Sequence, residues 1–136
     1  MDWEAAFQND RYVDLAIVAN GFVTTEAQEA VYLKAYFGDS LDDYKRARFF
    51  LMQQVCLMFY AMGFMRFTTA LQSKNLVIDD RLETFRHRDF AMQIANGTVS
   101  IASTEGQFLY AKVLLNEALY NMKTPRFAES IHRMIA

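Results

Sequence analysis

Four carboxylates crowd the first 14 residues: Asp2, Glu4, Asp10 and Asp14. Asp2 and Glu4 lie two positions apart. In an extended segment side chains repeat every second residue, so both point to one side. Two carboxylates on one side form an oxygen donor set of the kind that holds Mg²⁺ beside phosphate. Asp10 precedes an apolar stripe, where a carboxylate caps a helix, and Asp14 falls on the surface of that helix. Other reactive side chains are sparse. His87 lies in a charged RHRD stretch and His132 beside Arg133. Neither belongs to an HExxH or Cys–His pattern, so surface or structural roles are expected for both. The single cysteine, Cys56, sits in the most apolar run and is expected to be a buried, inert thiol. One cysteine excludes an internal disulfide and a Cys-based zinc site. There is no Gly-rich phosphate loop and no nucleophile elbow.

Aromatic and methionine side chains are the other unusual feature. Phe49, Phe50, Met52, Met58, Phe59, Tyr60, Met62, Phe64, Met65 and Phe67 crowd one stretch. Rings in such number can cage a quaternary ammonium or a flat ligand. Filling an irregular core is the simpler role, which methionine suits and which needs no ligand. A fully buried Phe59 at the centre of that core would cost roughly 3–5 kcal/mol on truncation to Ala.

These groups need a scaffold. The chain has 136 residues, 53% hydrophobic and 22% charged, which suffices for one domain with a sizeable core. Gly totals 5 and Pro 1, and this scarcity of breakers points to helices. The expected fold is all-α: about six helices in a compact bundle, with one long central helix and a short extended segment over Met1–Glu4. Asp10 caps a first helix over 11–20, with Gly21 as its stop. Thr25-Glu26-Ala27-Gln28 has capping-box spacing and starts a second, ending at Gly38. Ser40 caps the long third helix, over about 41–73. Its apolar residues cover most of the circumference, which marks a central helix. Gly63 there allows either a close helix approach or a bend. A fourth helix starts at Asp79 or Asp80 and ends near Asn96-Gly97. A fifth runs from Ser103 or Thr104 to about Met122. Thr124-Pro125 starts a sixth.

A net charge of −2 argues against a general nucleic-acid or anionic-membrane binder. The uninterrupted apolar run Val55–Met65 spans 11 residues. A bilayer needs roughly 20, so no membrane association is expected. The opening MDWEAAFQND has no secretory character, and cytoplasm is the expected location.

The order Asp2-Trp3-Glu4-Ala5-Ala6, then Asn9-Asp10, then Asp14-Leu15-Ala16 resembles a signature of the aminoglycoside phosphotransferase and choline kinase superfamily, "IDWE-x-A-x-x-x-D-x-x-x-DLA". Bacterial choline/ethanolamine and thiamine kinases are the most similar in flavour. A following helix, a "Y-x-G" element (Tyr36-Phe37-Gly38) and a long aromatic-rich helix are similar in kind. The signature spans about 16 residues and the looser likeness about the first 70.

The resemblance implies roles. Asp2 matches the aspartate that helps hold Mg²⁺ on nucleotide phosphates, where the cation offsets charge during phosphoryl transfer. Glu4 falls where the acceptor substrate is faced. Asp14 matches an aspartate that supports the catalytic loop, and Asp10 and Trp3 belong to the same structural frame. Ala5 stands where choline kinases often carry an aromatic. Members also have an ATP-holding lobe and an "H-x-D-x-x-x-x-N" loop before this segment, and both are missing here. The expectation is therefore a detached, acceptor-side helical lobe, silent alone and acting as a binding or interaction module. The alternative is half of a split phosphotransferase that acts on choline or another small alcohol. Mg²⁺ and ATP would be cofactors only once a partner lobe completes the site. The uncovered surface implies a homodimer or a separate partner chain.

Overall fold

The computed structural model describes residues 9–71 and 86–136, with all their side chains except those of 69–71 and 88. Among the described residues there are six α-helices and no strand. They are α1 (Arg11–Phe22), α2 (Glu26–Phe37), α3 (Asp43–Leu71), α4 (His87–Ala95), α5 (Thr104–Met122) and α6 (Pro125–Ile135), with a single 3₁₀ turn, Gly38–Ser40, between α2 and α3. The all-α bundle around one long helix is the architecture the sequence leads one to expect. The extended segment Met1–Glu4, Asp79 and Asp80 lie outside the described residues, but the fourth helix does not run unbroken from Asp79 or Asp80: Arg86 is extended (φ −82°, ψ 152°) and α4 begins at His87. Thr98–Ala102, which alternates in sequence, forms turns and bends.

Local chemistry sets the helix ends. The Asp10 carboxylate accepts the Tyr12 N–H and so caps α1. Thr25 accepts from the Gln28 N–H, while the Gln28 side chain accepts from the N–H and hydroxyl of Thr24. This is a capping box whose return bond lands one residue early. Gly38, at φ +57°, turns the chain out of α2 in a conformation that side chains disfavour. Gly97, at φ +77°, follows α4 in the same way.

Two further boundaries differ from expectation. Gly21 lies inside α1, which continues to Phe22, and the Val23 N–H still bonds back to the Ala19 carbonyl. The next apolar turn outweighs one glycine. Ser40 does not cap α3, because its hydroxyl donates to the Phe37 carbonyl and closes the preceding turn. Asp42 takes over: its carboxylate accepts the Lys45 N–H and its carbonyl the Arg46 N–H.

α3 is the axis of the molecule, with α1, α5 and α6 all packed against it. One core group joins Tyr12, Leu15, Ala19, Leu33 and Phe49 across α1, α2 and α3. A second joins Leu57, Ala61, Leu114 and Ala118 across α3 and α5. Small residues at 19, 61 and 118 let the helix backbones approach, and Phe49 and Leu33 fill the space between them.

α3 is nonetheless not buried all round. Phe49 is fully buried, whereas Phe59 is 68% exposed, and Val55, Met62 and Phe67 are also exposed. The expectation of a central Phe59 is therefore overturned: its side of the helix faces no described neighbour closely enough to be covered. Among the described residues no helix approaches Gly63 closely either, since a Cβ there would meet none of their atoms within 4 Å. The stretch Asp43–Thr68 is long and apolar enough, by length and composition, to cross a membrane; 33% of its most apolar window is buried. The unbroken run of 11 understates that length, because Gln53 and Gln54 interrupt an apolar segment that continues before them.

Candidate functional site

Helix interfaces in this bundle are mostly apolar, but one seam is polar. Gln54 on α3 is 2% exposed. Its side chain donates to the Phe50 carbonyl at 2.8 Å and accepts from Asn121 of α5 at 2.9 Å. Asn20 of α1 donates to the Gln53 carbonyl at 3.2 Å. Burying amides is costly unless they are hydrogen-bonded, and these are. They form one wall of an open cleft of about 280 Å³, closed by the α1–α2 connection, the start of α4 and the α5 side chain Glu117. A second chamber of about 290 Å³ shares Val23, Thr24, Arg86, His87 and Glu117 with the first.

Two ion pairs lie along this cleft. Arg86 grips Glu117 with two hydrogen bonds of 2.7 Å, and the His87 N–H adds a third at 3.2 Å. The Arg86 guanidinium also lies 3.7 Å from the Tyr120 ring centre. Burial pushes the Glu117 carboxyl upward, but the hydrogen bonds from the Arg86 side chain and the His87 backbone N–H, with the Arg86 charge, outweigh it and leave it below its ordinary value. The Glu117 hydrogen bond in turn holds Arg86 firmly protonated. His87 is shifted the other way: its burial lowers the pKa against the opposing pull of Glu117. Its ring tilts toward Tyr110, which stacks on Phe90 of α4. At neutral pH the site therefore holds a neutral imidazole beside a closed Arg–carboxylate pair. Arg126 of α6 pairs with Glu29 of α2 and lies over the Phe50 ring.

Of the residues singled out in sequence, Asp2, Trp3 and Glu4 lie outside the described residues. Asp10 caps α1 and also pairs with Arg48 of α3, which covers the Tyr12 ring. The hydrogen bond from the Tyr12 N–H, opposed by burial and aided by Arg48, lowers the Asp10 pKa. Asp14 lies on the exposed surface of α1, and His132 is exposed on α6. Cys56 is buried, and burial raises its thiol pKa, as an inert thiol requires. His87 is half-buried and lines the cleft.

The aromatic set does not converge into one cage. Phe49 and Phe50 are core, while Phe59, Tyr60, Gly63, Phe64, Phe67 and Gln107 line a shallow notch of about 250 Å³ on another face. Among the described residues no group of three His, Cys, Asp or Glu side chains is placed to hold a metal.

Sequence reasoning missed the polar seam. Its one signal was the Gln53-Gln54 pair that interrupts an apolar helix, and only Asn121 and Glu117, more than 60 positions on, give the pair a meaning. His87, Arg88 and Asp89 form the first turn of α4. No protein-family model, curated protein or solved structure matches the chain.

Proposed function

We propose that these residues form the helical, acceptor-side lobe of a choline/ethanolamine kinase-like phosphotransferase, a lobe that binds and docks but does not transfer phosphate alone. The signature across Asp2–Ala16 carries this reading. Its described half is in keeping with a structural frame: Asp10 ties the start of α1 to Arg48 of α3, and Leu15 and Ala16 are buried beneath it. The positive-φ turn at Gly38 and the aromatic α3 follow in the order the resemblance implies. Asp2 and Glu4 would meet Mg²⁺–ATP and the acceptor only when a nucleotide-holding lobe stands opposite.

The physical argument for silence is that phosphoryl transfer depends on positioning and charge stabilisation. Site groups must be held within about 0.5 Å of working geometry. No phosphate-covering loop and no "H-x-D-x-x-x-x-N" run occurs in these 136 residues. Calorimetry of the purified chain with Mg–ATP is expected to give no heat, and assays with choline to give no phosphocholine. Transfer of phosphate to an alcohol by the purified chain alone would sink the reading. Activity that appears only when a second polypeptide supplies the ATP lobe, and that Asp2→Ala abolishes, would establish the split enzyme instead.

A further inference from the structure

We infer that the polar cleft between the α1–α2 connection, α3, α4 and α5 is a binding site for a small uncharged polyol. The two chambers are near the lower end of the ~300–1,000 Å³ typical of small-molecule pockets. Their chemistry selects the ligand class. An anion seeks an unengaged guanidinium, yet Arg86 and Arg126 are each held by a carboxylate. A cation seeks a carboxylate without a counter-charge, yet Glu117, the carboxylate common to both chambers, already accepts three hydrogen bonds, two of them from Arg86. A carboxylate has about four acceptor positions, so Glu117 retains one for a hydroxyl donor. Neutral groups complete the inner lining: the Gln53 amide and the His87 imidazole both donate and accept, and the Thr24 hydroxyl, which already donates to Gln28, accepts. Groups that donate and accept at once pair best with hydroxyls, which do the same. Pinning by Arg86 and the His87 N–H fixes the carboxylate before any ligand arrives, which lowers the cost of binding. Glu26 and Asp89 also line the cleft, and a cation drawn to them is the competing outcome.

This inference stands on the cleft alone and is independent of the phosphotransferase reading. The test is a titration of the isotope-labelled chain, followed by amide NMR shifts, with myo-inositol, choline chloride and inorganic phosphate as separate probes. Saturable shifts at Thr24, His87 and Asn121 are expected with myo-inositol, and none with the other two. Thr24→Trp, at an exposed position on the rim, should fill the mouth and weaken binding at least tenfold, with only a small fall in melting temperature from loss of the hydroxyl bond to Gln28. If that variant melts early, Gln53→Leu replaces a neutral polar wall with an apolar one and should weaken binding likewise. Choline or phosphate shifting these amides in place of myo-inositol overturns the inference, as does the absence of saturation with any probe. Loss of the inference on the choline arm would leave the phosphotransferase reading standing.

Discussion

His87 and Glu117 make the residue scale a matter of protons. Burial lowers the His87 pKa below the unfolded 6.5, so at mildly acid pH the unfolded chain binds a proton that the folded chain refuses. Stability from this group is complete above pH 6.5 and falls as pH drops from 6.5 toward the lowered folded value. Glu117 is also held below its ordinary value, so its contribution is present above pH 4.5 and falls below it. Urea unfolding should show lower stability at pH 5.5 than at pH 7, and His87→Asn should flatten that slope. Equal slopes in the two proteins would contradict the assignment. Arg86→Met strands the Glu117 carboxylate, whose side chain is only 17% exposed. It should cost about 1–3 kcal/mol at pH 7, less at pH 4 where the carboxyl takes up a proton. Glu117 cannot be singled out from sequence, because an acidic residue in a helix is ordinarily solvated. What sets it apart is Arg86, 31 positions away.

Helices show where periodicity and capping suffice and where they fail. The all-α class, the long α3, the caps at Asp10, Thr25 and Ser103, and the start at Pro125 are legible because each depends on chemistry within four residues. The orientation of α3 is not legible, since its apolar residues run nearly all round and cannot tell the covered side from the open one. Partners supply the answer: α1 and α2 cover Phe49, and nothing described covers Phe59. Phe49→Ala should therefore cost roughly 3–5 kcal/mol, whereas Phe59→Ala should cost below about 1 kcal/mol, both read from urea midpoints. Two glycines separate in the same way. A Cβ at Gly106 would lie 2.0 Å from the Ser100 carbonyl oxygen, so Gly106→Ala should destabilise by about 1–3 kcal/mol despite alanine's better helix propensity. No described atom lies near a Cβ at Gly63, and Gly63→Ala should stabilise by about 0.5–1 kcal/mol. The reverse order for the pair would show that the α5 start is packed differently.

At the scale of the whole molecule, the exposed side chains Val55, Phe59, Met62 and Phe67 lie along one helix beside the aromatic notch. Contiguous apolar surface of that kind drives association. Under the proposed lobe reading a second copy or a separate chain covers it. Sedimentation at high concentration should show a dimer or larger species, and Phe59→Glu should shift it toward monomer. A clean monomer at all concentrations would remove the docking half of the reading. Amphipathic patterning reveals that α3 has more apolar surface than one small bundle needs. It does not reveal which residues are surplus, because that depends on where α5 and α6 come to rest.

Arg126 reaches back 97 positions to Glu29, and Arg133 lies 3.3 Å from Asp43. α5 and α6 both lie on α3, so the second half of the chain is anchored to the first by packing and by ions as well as by the peptide that joins them. A protease cut in the Asn96–Ala102 turn should consequently leave a nicked protein that still migrates as one particle. Two separately made peptides, meeting at that turn, should find each other and rebuild it.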